Sequence, residues 1–239
     1  MSLPLSEITP IGRPVKLAET FAGTLQGEGP STGQPAAFIR FSGCNLTCGW
    51  CDTPYTWDTS RYDLAAESYR ENVDALVAWA SECSEDLIVI TGGEPLLQRS
   101  VVPLVQQLWQ AGKQIEVETN GTIAPPAELL AAGPRFNVSP KLGNSGVKED
   151  RRIVPAALRE FAASGLARFK FVVQDIADLA EVEALERAYG LSPIWVMPEG
   201  KAEAEVLAGM RALAGPVVSR GWRLGTRLHV LLWGDERGR

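Results

Sequence analysis

The chain has 239 residues, 45% hydrophobic and 22% charged, with a formal net charge of −6. That is enough chain for one large domain with a sizeable core, and the acidic balance gives no footprint for direct nucleic-acid binding. Apolar runs stay below the ~20 residues of a membrane span, so no membrane association is expected.

Residues 1–14 lack the charged start and long apolar core of a secretory signal. Four cysteines, three of them clustered, make no disulfide framework, so a reducing cytoplasm is the expected location. No repeat or low-complexity tract divides the chain, and 1–239 reads as a single domain.

Residues 1–15, with three prolines, read as an irregular lead-in. The region 16–35 starts with a short strand at 16–21 and continues into a turn-rich loop at 26–33. A compact strand at 36–41 then delivers the cysteine loop at its C-terminal end. A helix over 67–83 follows, with Val73, Leu76, Val77 and Ala80 on one face. Residues 87–91 form a short, β-branched, buried strand closed by Gly92-Gly93. Val101, Leu104, Val105 and Leu108 mark the next helix, which Gly112 ends.

The alternation continues with a strand at 114–119, a short helix at 127–132, a strand at 135–139, a helix at 156–163 and a strand at 168–173. Val182, Leu185 and Tyr189 line another helix before a strand at 193–197. Val206, Met210 and Leu213 line the last helix, and a strand at 227–232 closes the series within a C-terminal strand and tail, 222–239. Repeated β-then-α units predict an α/β fold with a mostly parallel sheet and right-handed crossovers. Ligands of such sheets bind beyond the carboxyl ends of the strands.

Cys44, Cys48 and Cys51 form C-x3-C-x2-C. Close thiolates favour zinc, copper(I) or iron–sulfur centres. A structural zinc site and an all-cysteine cubane each want four ligands, and here the local supply is three. A cubane held this way leaves one iron open. The alternative is a zinc-stabilised binding module whose fourth ligand is Cys83 or the only histidine, His229. Cys83 also reads as a buried or incidental thiol at a helix end.

With Trp50 just before its last cysteine, this motif resembles that of the radical S-adenosylmethionine superfamily. The resemblance implies a partial, modified TIM-type barrel whose core is a mostly parallel sheet of about six strands. It also implies a [4Fe–4S] cluster on the three cysteines, with S-adenosylmethionine on the open iron beside Trp50, Cys51 and Asp52. In Thr91-Gly92-Gly93-Glu94-Pro95, Gly93 and Glu94 correspond to the segment that receives the methionine amino group. By the same resemblance Glu118 lies beside the nucleoside. Ser139, Pro140 and Lys141 meet ribose and carboxylate, and Met197 and Pro198 wall the adenine. Read without it, Gly-Gly-Glu-Pro is a turn and helix start, Asn120-Gly121 is a turn beside a solvated Glu118, and Lys141 is a surface lysine.

The run 19–57 further resembles the 7-carboxy-7-deazaguanine synthase family, through Glu19-Thr20-Phe21, Leu25-Gln26-Gly27-Glu28-Gly29, Gly33-Gln34-Pro35-Ala36 and Phe38-Ile39-Arg40. That family contracts the ring of 6-carboxy-5,6,7,8-tetrahydropterin by radical chemistry and releases ammonia, as a step towards queuosine. The resemblance implies a pterin grip by Leu25, Gln26, Gly27 and Glu28, a carboxylate anchor at Arg40 and a substrate contact at Thr91. It implies Mg2+ at Thr53, a reductant such as flavodoxin or ferredoxin, and a homodimer. Alternatively, Arg40 neutralises Glu28 or Glu19, Thr53 caps a turn, and His229 is a core histidine rather than a substrate contact. The rival within the superfamily is a glycyl-radical-enzyme activating enzyme, which gives no reason for Gln26, Arg40 and Thr53.

Overall fold

Period-two alternation along the strands assigns successive side chains to opposite faces of a sheet, and this chain uses the two faces differently. The computed structural model describes residues 14–239. Its strands are β1 (Val15–Leu25), β2 (Pro35–Phe41), β3 (Tyr69–Glu71), β4 (Leu87–Gly92), β5 (Gln114–Thr119), β6 (Arg135–Val138), β7 (Ala167–Val173), β8 (Ile194–Pro198) and β9 (Arg223–Leu224). They form one sheet in the order β3-β1-β2-β4-β5-β6-β7-β8-β9. From β2 to β9 every pairing is parallel, and β1 and β3 add an antiparallel edge. The order does not close on itself, so the barrel is partial.

The helices are α1 (Val73–Glu82), α2 (Val101–Gln110), α3 (Ala127–Ala131), α4 (Glu149–Arg152), α5 (Pro155–Ser164), α6 (Leu179–Tyr189), α7 (Glu203–Ser219) and α8 (Leu228–Trp233). Ile39, Ile88, Ile90, Val117, Phe136, Phe169 and Phe171 meet Leu76, Leu104, Leu108, Leu158, Phe161 and Val182 of the helices in one continuous core. Each such side chain contributes about 1.5–3 kcal/mol when fully buried. The helix-facing side therefore carries the cohesion. On the opposite face Ala36, Phe38, Leu87 and Val89 make a small apolar floor, with Phe21 stacked on Phe38 at 4.8 Å. Above that floor, towards the carboxyl ends, the same alternation places Arg40, Thr91, Glu116, Glu118, Asn137 and Lys170.

Three sequence expectations are corrected. The first strand runs from Val15 to Leu25, past the expected 16–21, with bulges that break its register to β2. The helix expected over 67–83 begins only at Val73, because Tyr69–Glu71 pairs with Val15–Leu17 as β3 and its amides are used there. The strand expected at 227–232 is helix α8: Leu231 N donates to Arg227 O and Gly234 N to Val230 O. Alternation holds only from Arg227 to Val230 and is lost beyond it, with Val230 buried and Leu232 half exposed. The C-terminal region 222–239 is thus a two-residue strand, a helix and a tail. Of the expected lead-in, 1–13 lie outside the described residues, and Val15 opens β1. Among the described residues no helix is long and apolar enough to cross a membrane.

Candidate active site

The carboxyl ends of the parallel strands open on one cavity. β2 runs into the cysteine loop, which is closed at its base by Gly43 N donating to Thr56 O at 2.8 Å and fastened outside by Gly49 N to Ser145 O at 3.0 Å. The short 3-10 turn Pro54–Thr56 folds the chain back, with Trp57 N donating to Pro54 O at 3.0 Å. Cys44, Cys48 and Cys51 consequently share one wall, with Trp50, Asp52 and Thr53 beside them. All four cysteines are free. Burial pushes the Cys44 thiol up to about 12 and raises Cys48 as well. Cys83 lies elsewhere, its sulfur on Trp79 O at 3.3 Å.

The Gly-Gly-Glu-Pro turn packs directly on this loop. A Cβ on Gly93 would lie 2.2 Å from Gly43 O and 2.9 Å from Cys44 Cβ; one on Gly92 would lie 2.2 Å from Phe41 O. Only glycine lets the two backbones approach so closely. Glu94 is fully buried and does not line the cavity. Its carboxylate accepts from Asn120 N at 2.7 Å, Thr119 Oγ1 at 2.8 Å and Leu96 N at 3.0 Å, joining the end of β4 to the end of β5. Pro140 and Pro198 likewise fall outside the lining, whereas Gly93, Glu118, Ser139, Lys141 and Met197 are in it. Lys141 Nζ donates to Ser139 Oγ at 2.9 Å and lies 5.6 Å from the centre of the Trp50 ring.

Arg40 and Thr91 are register partners on adjacent parallel strands and both reach the cavity. Arg40 Nε donates to Glu19 Oε1 at 2.7 Å, and that carboxylate also accepts from Tyr55 and Arg237. Among the described residues the two terminal nitrogens of Arg40 make no hydrogen bond. Pairing with Glu19 and lining the cavity therefore coexist. Thr91 Oγ1 donates to Glu118 Oε2 at 2.7 Å.

The loop after β1 supplies Leu25, Gln26, Gly27 and Glu28 to the same cavity. The Gln26 side chain turns inward, donating to Glu116 Oε1 at 2.6 Å. Ser31 and Asn137 complete that fully buried carboxylate at 2.6 and 2.7 Å. Burial raises the Glu116 pKa. The carbonyl of Gly27 accepts from Leu228 N at 2.8 Å, and its Cα faces His229: a Cβ there would lie 2.1 Å from the ring Nδ1. Burial lowers the His229 pKa and keeps the imidazole neutral.

Sequence reasoning named Arg40 and Lys141 but missed two further cations of the site, Lys170 and Arg227. Lys170 pairs with Glu28 and stands 3.7 Å from Glu118. Arg227 meets Glu28 at 3.1 Å, pairs with Asp52, and donates to Gly200 O at 2.6 Å. Burial opposes ionisation of Glu28, but Lys170 and Arg227 prevail and hold its carboxyl far below the usual range. A lysine set between core residues Phe169 and Phe171 was the available signal, since a buried charge requires a partner. Arg227 was hidden by the strand expectation.

Residues 38–178 match the Radical SAM superfamily. The 7-carboxy-7-deazaguanine synthase of Pyrobaculum aerophilum is 37% identical over 230 residues, covering 94% of this chain and 97% of its own length. The chain belongs to the 7-carboxy-7-deazaguanine synthase family. The synthase of that name from Rhodopirellula baltica is 32% identical, with 93% of this chain and 88% of its own covered. The crystal structure of QueE from Escherichia coli superposes with a TM-score of 0.70 at 26% identity, covering 90% of this chain and 95% of that one.

Membership makes the chain a radical S-adenosylmethionine enzyme and implies a [4Fe–4S] cluster and S-adenosylmethionine as cofactors. The donor set fits. Three free cysteines line a cavity that also exposes glycine backbone, carboxylate and ammonium groups. Cys83, one of the two candidate fourth ligands of the zinc alternative, lies outside that cavity with its sulfur on Trp79 O.

Proposed function

We propose that this protein is a ring-contracting carbon–nitrogen lyase. It converts 6-carboxy-5,6,7,8-tetrahydropterin to 7-carboxy-7-deazaguanine with loss of ammonia, in queuosine and related 7-deazapurine biosynthesis. The observation that carries this reading is the shared cavity. Arg40 and Thr91, on register-paired strands, face the same space as Cys44, Cys48, Cys51 and Gly93.

In this reading Cys44, Cys48 and Cys51 hold three irons of the cluster, and Gly93, Ser139, Lys141, Glu118 and Met197 receive S-adenosylmethionine. When bound, the cluster and S-adenosylmethionine together supply a carbon-centred radical able to remove a hydrogen atom from the substrate. The chain's own residues position and shield. Arg40, braced through Nε by Glu19, presents its remaining nitrogens to the substrate carboxylate, whose geometry a guanidinium fork matches. Thr91 orients the ring from the neighbouring strand. Because Gln26 spends its side chain on Glu116, the pterin edge is read by the main chain of Leu25–Gly27 and by the neutral imidazole of His229. Glu28 is held ionised by Lys170 and Arg227 and shapes that loop from behind. Thr53, with substrate oxygens and waters, is the Mg2+ site, in keeping with that ion's preference for oxygen donors and retained water.

A low-potential reductant such as flavodoxin or ferredoxin, a homodimer and a cytoplasmic location complete the proposal. Anaerobically reconstituted protein is incubated with S-adenosylmethionine, reductant and carboxytetrahydropterin, and product is followed by mass spectrometry. Formation of 7-carboxy-7-deazaguanine, abolished in Cys48→Ala and reduced at least ~100-fold in kcat/KM by Arg40→Met, is the expected result. A loaded, reducible enzyme that leaves the pterin unchanged overturns the assignment.

A further inference from the structure

The cysteine loop ends on a residue to which the proposed function gives no role. Trp57 lies six residues beyond Cys51, and its indole Nε1–H donates to Cys51 Sγ at 3.3 Å. Local construction brings it there. The turn Pro54–Thr56 reverses the chain, Trp57 N bonds Pro54 O at 3.0 Å, Thr56 Oγ1 bonds Thr53 O at 2.8 Å, and Thr56 is fully buried. The ring also lines the cavity.

The three sulfurs are not equivalent. Cys44 Sγ has a long backbone contact from Leu46 N at 3.5 Å, and among the described residues only Cys51 accepts from a side-chain N–H. Thr53 Oγ1, at 3.8 Å, is a weaker neighbour of the same sulfur.

The geometry points to Trp57 as the residue that sets the reduction potential of the cluster, through its N–H···S bond to Cys51. Hydrogen bonds to the sulfurs are one of the levers by which a protein tunes such a centre. The step concerned takes one electron from the external reductant into the cluster, with no bond made or broken in the protein. That electron adds negative charge to an assembly already bearing three thiolates, so the sulfur accepts more strongly after reduction than before. A donor aimed at it therefore stabilises the reduced form preferentially and raises the potential. Trp57 is a positioning residue that acts through Cys51.

This rests on the three cysteines holding a cubane, so iron and sulfide are counted first. A protein that binds no cubane overturns both readings. In the loaded protein without S-adenosylmethionine, the couple is titrated by electron paramagnetic resonance. Trp57→Phe keeps the ring and loses the donor. The expected result is a more negative potential, with the reduced-to-oxidised ratio at a fixed poise falling by roughly three- to tenfold at unchanged cluster content. An unchanged or more positive potential overturns the proposal.

Should Trp57→Phe fail to hold a cluster, the unaltered enzyme decides. With the indole nitrogens of its seven tryptophans labelled with 15N, the reduced cluster is expected to show one exchangeable proton and one 15N nucleus coupled to it by electron–nuclear double resonance. Absence of both couplings overturns the proposal.

Discussion

Replacing Arg227 with methionine probes what holds the cavity walls together. Arg227 is 5% exposed, and its guanidinium joins three separate segments: Glu28 of the loop after β1, Asp52 of the cysteine loop, and the carbonyl of Gly200 after β8. Methionine fills similar volume, so the loss is chiefly of charge. Removing one member of a buried pair costs about 3–5 kcal/mol, because the other is left uncompensated. Two features reduce that here. The Asp52 side chain is 43% exposed and is rehydrated, a contact worth at most about 1 kcal/mol. Glu28 retains Lys170. The net expectation for Arg227→Met is about 2–4 kcal/mol, equivalent to a Tm fall on the order of 5–15 °C in a chain of this length.

Urea denaturation of the reduced apoprotein measures it without contribution from cofactors. Glu28→Gln and the double variant complete a cycle in which the two changes couple by about 1–3 kcal/mol. A loss below about 1 kcal/mol, or strict additivity, would refute the picture of one shared charge cluster.

Gly93→Ala forces a Cβ onto Gly43 O and Cys44 Cβ; overpacking of about 1–3 kcal/mol and displacement of the cysteine loop are expected, read as iron and sulfide bound per chain, and full cluster loading would contradict the packing argument. The depressed carboxyl of Glu28 has a defined sign in pH: its stabilisation is complete above the unfolded value near ~4.3 and is lost as pH falls through the lower folded value. Melts between pH 6 and 3 therefore steepen on the acid side, and Glu28→Gln flattens them; parallel curves for the two proteins would contradict the linkage. Burial lowers the pKa of the only histidine, so nuclear magnetic resonance of His229 in the folded apoprotein is expected to give a midpoint below ~6.5, with stability falling as pH drops from ~6.5 towards that midpoint. A midpoint above ~6.5 would remove the neutral imidazole from the account.

The sequence was most informative where one physical rule dominated. Residues 87–91 and 114–119 read as strands because short β-branched or alternating runs bounded by glycine or asparagine have few other solutions, and both appear as β4 and β5. The cysteine spacing revealed the chemistry because three thiolates in eight residues are costly without a metal centre. It left open which side chains surround them, since that depends on register: only the pairing of β2 with β4 sets Arg40 beside Thr91.

Elsewhere two rules competed. Residues 227–232 begin with the alternation of a strand, yet the docking of Leu228 on Gly27 and the apolar run Val230-Leu231-Leu232 accompany a helix there. Tyr69–Glu71 carries no strong local signal and becomes a strand because β1 offers an edge. Glu94 illustrates a motif residue whose tertiary role differs from the expectation: it fastens β4 to β5 beneath the cavity. Lys170 and Arg227 act across 142 and 199 residues of chain to reach Glu28, a separation that no local pattern encodes.

The central claim is that the three cysteines leave one coordination position free for S-adenosylmethionine, in the cavity that also holds Arg40 and Thr91. The direct measurement is the electron paramagnetic resonance spectrum of the reduced, reconstituted protein during titration with S-adenosylmethionine labelled with 17O in its carboxylate. The account predicts a change of g values that saturates at one equivalent and a 17O hyperfine coupling to the cluster. A spectrum that stays unchanged at saturating S-adenosylmethionine, with a fourth protein ligand on the iron, would contradict it.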